Sequence, residues 1–266
     1  MRIGLLTERE GGVQRYTQDL KEALTADFSV STFEVDSDSN SPLYWRSTGK
    51  EVSSSVDVIH LQFEHGIFGN IDGRLYGIFT PFLIWGISKP LVTTLHTVNE
   101  REIIESNLFR TLKNMVKVPL IESIEYLLIR RSRTVIVHDE TARNRLVSKF
   151  QWISKDKVRV IPHGVRSLEK VEVEDAKRKL GYENSDSLIT LFGYIRRSKG
   201  YERVIEILDD LKDLDANLLI AGEAKTEEQE AYRQELAELA EKQGIEDRVS
   251  FRGYVSENEL DSVMSA

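Results

Sequence analysis

Val56-Asp57-Val58-Ile59-His60-Leu61-Gln62-Phe63 is a short, β-branched run whose centre, Val58-Ile59-His60-Leu61, is almost wholly apolar. A strand covered by helices on both faces reads this way, because neither side meets water. Runs of the same kind lie on either side of it, at Arg2–Leu6, Ser29–Val35, Leu91–His96, Thr134–His138 and Val158–Pro162. Between them are longer amphipathic stretches: Val13–Leu24, Leu75–Ile87, Leu108–Arg131 (one helix, or a pair broken near Pro119) and Glu140–Phe150. Strands alternating with helices predict parallel βα units. The pattern repeats downstream, with strands at Leu188–Gly193, Asn217–Gly222 and Arg248–Phe251. Helices at Tyr201–Leu211 and Glu227–Gln243 separate them, and Glu257–Met264 opens another.

The expected fold class is therefore α/β, with two Rossmann-like, doubly wound parallel-sheet domains. Residues 1–166 make the first, 167–187 a polar and charged linker, and 188–266 the first half of the second. A complete domain of this type holds five or six strands. Three follow residue 187, so the second domain reads as incomplete.

Charge divides the chain at the same place. Residues 1–165 hold 21 Lys/Arg against 20 Asp/Glu, a net of +1, whereas residues 166–266 hold 15 against 24, a net of −9. The acidic second half argues against nucleic acid as a partner, because such a footprint is broadly basic. At 40% hydrophobic and 30% charged residues, the 266-residue chain has the balance of a globular protein. It contains no cysteine, which removes disulfides, thiolate metal sites and a cysteine nucleophile. The apolar start Met1–Leu6 is too short for a signal peptide. Leu75–Ile87 falls short of the roughly 20 residues that span a bilayer. A cytoplasmic location is the expectation.

Chemistry-bearing residues gather where strands end. Gly11-Gly12 follows the first strand, at the sheet edge where open α/β folds bind ligands. Two glycines there let the backbone approach an anion at a helix start; a plain tight turn needs them equally. In the second unit Gly193-Tyr194-Ile195-Arg196-Arg197-Ser198-Lys199-Gly200 takes the same place. Three cations within four positions of an acidic unit point to a diphosphate, which arginine and lysine bind in different ways. His96 closes a strand, where it could meet a substrate hydroxyl or serve as a bonded core histidine. His65 follows another strand and is assigned to the acceptor side, while His138 and His163 also stand at strand ends. No histidine pair has the i, i+4 helical spacing of a zinc site, so no metal is expected. Asp36 and Asp38 lie in a Ser/Asp/Asn loop that solvation explains. Six basic residues between 110 and 133 fit an outer-layer helix or a contact with anionic lipid.

Seven segments in order carry a family resemblance: Glu10–Tyr16, Asp57–Gly69, Pro90–Val98, Val160–Val165, the Arg196/Lys199 loop, Leu219–Glu223 and Val249–Val255. Together they resemble the retaining GT-B glycosyltransferases of family 4 (group 1), over essentially the whole chain. The resemblance implies a hexosyltransferase-type enzyme that moves a sugar from a nucleotide-diphosphate donor to a saccharide or lipid-linked acceptor, keeping the anomeric configuration. It assigns Arg196 and Lys199 to the donor diphosphate, with Gly11 and Gly12 approaching the phosphate. His96 falls beside the transferred sugar, and Tyr254 and Val255 near the base. It implies no tightly bound cofactor. The expected cytoplasmic location includes peripheral contact at the inner face of the membrane, through the basic stretch 110–133. Two departures stand out. Tyr194 occupies a position that is often basic, which leaves open whether Arg196 or Arg197 faces the phosphates. The family's paired glutamates, eight residues apart, belong beyond Ala266, so residues 1–266 alone are expected to be inactive. The competing functions are a non-catalytic nucleotide-sugar-binding scaffold and a GT-B nucleotide-sugar epimerase.

Overall fold

The structure is a computed structural model that describes residues 1–69, 77–98, 108–164, 169–183, 187–210 and 216–266; within these, the side chains of 108–117, 209, 210 and 257 are left undescribed. The chain divides into two compact units, Met1–Arg166 and Ser167–Ala266.

In the first unit β1 (Arg2–Glu8) leads through Gly11 into α1 (Gly12–Thr25), followed by β2 (Ser29–Val35), α2 (Pro42–Ser55) and β3 (Val58–Phe63). Next come α3 (Thr80–Gly86), β4 (Leu91–Leu95), α4 (Leu108–Arg131), β5 (Thr134–Val137), α5 (Glu140–Lys149) and β6 (Val158–Val160). The six strands form one parallel sheet in the order β2-β1-β3-β4-β5-β6. The chain leaves β1 in one direction and returns on its other side. That reversal makes the carboxyl ends of β1 and β3 the switch point, where such sheets bind ligands. Ile59, Leu61 and Phe63 of β3 are fully buried, as a strand covered on both faces requires.

Two elements of this unit, α2 and α3, differ from the sequence expectation. α2 was not foreseen, because Ser41–Ser55 is rich in Ser and Thr; its buried face is carried by Trp45, Gly49 and Val52, spaced four and three apart. The Ser41 side chain accepts from the Tyr44 N–H at 3.3 Å and Pro42 opens the first turn, both ordinary helix-start devices. The apolar stretch from Leu75 yields only the seven-residue α3, whose Pro81 lies in its first turn; residues 75 and 76 lie outside the described residues. α4 runs through Pro119 as a single helix rather than as a broken pair.

In the second unit α6 (Val173–Leu180) precedes β7 (Ser187–Phe192), α7 (Tyr201–Asp210), β8 (Ala216–Ala221), α8 (Glu227–Gln243), β9 (Val249–Gly253) and α9 (Glu257–Ser265). The strands form a parallel sheet in the order β7-β8-β9. Side chains of β8 alternate between two cores. Leu218 and Ile220 pack with Ile205 of α7 and Leu236 of α8, while Leu219 and Ala221 pack with Leu180 and Val263. The segment expected to be a linker thus contains a helix. α6 buries Ala176 and Leu180 beneath a charged outer face and packs on α9, so it belongs to the second unit's core.

Candidate functional site

At the switch point of the first unit, Gly11 has φ 125°, a backbone region that favours glycine. A Cβ there would stand 2.5 Å from the Glu8 Oε1, so the glycine lets that carboxylate fold back on α1. Glu8 accepts from the backbone N–H groups of Val13 and Gln14, which lowers its pKa. Burial outweighs that effect, and the nearby Glu64 adds to it, so the Glu8 pKa is raised. The start of α1 thus already holds the Glu8 carboxyl group. Gly12 is exposed with open space above it. Thr17 pins the helix by donating to the Val13 carbonyl at 2.7 Å, and its hydroxyl lies 3.1 Å from that of Thr7.

Neighbouring strands bring three histidines together at this edge. His96 follows β4, His138 follows β5, and His163 lies three residues beyond β6. One nitrogen from each lies within 4.8 Å of the others. The Tyr16 ring from α1 meets all three edge-on, with centroids 4.9–5.5 Å away. His96 Nε2 lies 3.1 Å from Oε1 of the fully buried Gln62, and His138 Nδ1 lies 3.0 Å from the Ile161 carbonyl. Burial pushes the His96 pKa down to about 3, helped by His138, His163 and His60, so His96 is neutral at neutral pH. Burial, then His138, lowers that of His163 as well. His60, deeper in the sheet, lies 2.8 Å from the Thr94 hydroxyl and is held by burial at about 4. The sequence expectation of no metal rested on helical spacing. A parallel sheet needs no such spacing, since it aligns the ends of strands far apart in sequence.

His65, expected on the acceptor side, points inward instead. Its ring packs on Phe63 at 5.1 Å, and its Nε2 lies 3.5 Å from the Oε1 of Glu125, a fully buried residue of α4. Glu125 also accepts from Lys149 at 2.8 Å. The side chain serves the core. Asp36 and Asp38 form a local turn, with the Asp38 N–H donating to the Asp36 carboxylate at 3.2 Å. Of the basic residues between 110 and 133, Arg131 donates to the carbonyls of Ile87 and Lys89. Arg110, Lys113 and Lys117 lie outside the residues whose side chains are described. No described helix is long and apolar enough to cross a membrane.

The second unit's edge is built around the loop after β7. Gly193 has φ 135°, and its carbonyl lies so near Gly222 that a Cβ there would stand 1.8 Å from it. The Tyr201 hydroxyl donates to the Gly193 carbonyl at 3.0 Å, and Ile195 is fully buried. Gly200, with φ 67°, turns the loop into α7. The backbone is fixed at both ends while its cations face solvent. Arg197 is committed to Glu235 on α8, with both carboxylate oxygens 2.6 Å away, and it lies over the Tyr232 ring. Hydrogen bonding to Glu235 raises its pKa. Arg196 and Lys199 are exposed and make no ion pair among the described residues. This separates the two arginines that the sequence left equivalent. A cavity of about 250 Å³ lies beside the loop, lined in part by Arg196, Ser198 and Gln229.

Lys225, after β8, was not singled out from the sequence. Its Nζ lies 5.0 Å from the Tyr194 ring centroid, and Tyr194, then Glu223, raises its pKa. Tyr254 follows β9 and is 61% exposed, free to stack on a flat ligand. Val255 is buried in the core with Leu219 and Ala221, so only its backbone could touch a ligand.

Residues 39–167 match the model of Glycosyltransferase Family 4, and residues 172–266 that of Glycosyl transferases group 1. The solved structure of HepE from Anabaena, in complex with UDP and glucose, superposes with a TM-score of 0.66 at 17% identity, over 99% of this chain and 71% of that one. Sucrose-phosphate synthase from Thermosynechococcus elongatus superposes with a TM-score of 0.69 at 18% identity, over 100% and 73%. The fold is that of the GT-B glycosyltransferases. Mannosylfructose-phosphate synthase of Agrobacterium fabrum (strain C58 / ATCC 33970) is 24% identical over 149 residues, 53% of this chain. The GT-B chain described here spans about a third (32%) of that relative's length.

Proposed function

We propose that the protein is a glycosyltransferase of the hexosyltransferase type, moving a sugar from a nucleotide-diphosphate donor to a saccharide or lipid-linked acceptor with the anomeric configuration retained. The observation that carries this reading is the loop after β7, where Arg196 and Lys199 are presented without carboxylate partners among the described residues while Arg197 is tied to Glu235. Negative charge on the departing diphosphate grows as the glycosidic bond breaks, and fixed cations stabilise that charge most in the transition state. Arg196 offers a planar fork to two phosphate oxygens and Lys199 a compact charge. Tyr254 stacks on the base, and the Val255 backbone completes that end. In the first unit His96 lies beside the transferred sugar, and the Gly11-Gly12 turn approaches the phosphate. The nucleotide-bound HepE structure and the two family matches support a nucleotide-sugar donor. The reading places the enzyme in the cytoplasm, working at the inner face of the membrane.

The test is transfer by the full-length protein from a panel of nucleotide sugars, with the product's anomeric configuration read by NMR. Arg196→Ala and Lys199→Ala should each lower kcat by about 100-fold, and the product should keep the donor's configuration. Full transfer by the double variant would overturn the assignment of the loop, and an inverted product would overturn retention.

A further inference from the structure

We propose that His96, His138 and His163 form a binding site for one borderline divalent transition-metal ion of the zinc, cobalt and nickel class. Each residue offers one ring nitrogen, and the three lie within 4.8 Å of one another. His138 Nε2 and His96 Nδ1 stand 3.4 Å apart. Two nitrogens on one tetrahedral ion, at metal–nitrogen distances of roughly 2.0–2.1 Å, stand about 3.3–3.4 Å apart. That pair already has the spacing of one edge of such a site.

The far sides of two of the rings, those of His96 and His138, have the partners a metal ligand needs. A carbonyl can only accept, so His138 carries its proton on Nδ1, facing Ile161, and turns the Nε2 lone pair inward. With the Gln62 Oε1 facing it, His96 carries its proton on Nε2 and turns the Nδ1 lone pair inward. Two lone pairs then face each other with no donor between them, an arrangement that a cation relieves. Turning the Gln62 amide over gives the metal-free alternative, in which the amide donates to His96, His96 to His138, and His138 to Ile161. The buried Gln62 therefore sets which state His96 adopts, as outer partners of metal-bound histidines do. His163 is exposed and gives an ion a way in from solvent. Neutral imidazoles select zinc, cobalt, nickel or copper over magnesium or calcium, which prefer oxygen ligands. Three ligands leave a fourth position open.

Cobalt(II), titrated into the metal-free chain, is the probe, because four-coordinate cobalt has intense visible absorption. One equivalent should bind and give that absorption. His138→Ala and His163→Ala should each weaken binding at least tenfold and bleach it, and Gln62→Leu should weaken binding 10–100-fold. Far-UV circular dichroism of each variant confirms that it is folded. Absence of the band with excess cobalt, or a band that survives both histidine substitutions in folded protein, overturns the site. The assay contains no sugar donor, so its result does not depend on the sugar-transfer reading.

Discussion

His60 is half-buried within the first sheet, and desolvation holds its pKa at about 4, well below the usual histidine value of 6.5. The unfolded chain therefore takes up a proton between those values that the folded chain refuses. The stabilising contribution is complete above about pH 6.5 and is lost as the pH falls towards 4, on the order of 2–3 kcal/mol for this group. His60→Gln, which can still bond Thr94, should lose correspondingly less stability between pH 7 and about pH 4.5. Urea unfolding of both proteins at the two pH values checks this, and identical losses would contradict it. Glu125 is a second residue-scale test. It is fully buried between His65 and Lys149, and Glu125→Ala should cost about 3–5 kcal/mol, the range for removing one partner of a buried ion pair. Calorimetric melting would show it. At this scale the sequence told part of the story. His96 was legible because it closes an apolar strand. His138 and His163 were visible as strand ends, but their meeting depends on β4, β5 and β6 being neighbours, which no local pattern states. His65 misled, because following a strand does not decide whether a side chain turns out or in.

Between residue and whole chain, elements meet through glycine. A Cβ on Gly49 of α2 would stand 2.4 Å from the Leu83 carbonyl of α3, and one on Gly86 would stand 2.2 Å from the Arg46 carbonyl of α2. The two helices approach backbone to backbone, which only glycine permits. Gly49→Ala should therefore separate them and cost about 1–3 kcal/mol, the usual range for overpacking, measured by thermal melting. A melting point equal to that of the parent would contradict this contact. The strands were legible because buried parallel strands are short and β-branched. α2 was not, since serines dilute its apolar face. Nor was α6, where Ala176 and Leu180 are the only buried residues within a run of charge. Both helices are recognised by what they cover rather than by their composition.

On the scale of the whole molecule, two parallel sheets each turn a carboxyl edge to solvent, one carrying imidazoles and the other guanidinium and ammonium groups. The alternation of strand and helix made the two parallel sheets readable in advance. Which cation in the loop after β7 stays available was not readable, because the partner of Arg197 comes from α8, 38 residues away. The most direct test is thermal unfolding of the chain with and without a nucleoside diphosphate. A ligand at 100 times its dissociation constant should stabilise the folded state by about 2.7 kcal/mol. Arg196→Ala/Lys199→Ala should abolish that gain, while Arg197→Ala should keep most of it. Equal stabilisation of the double variant and the parent, or a gain lost only with Arg197, would contradict the account.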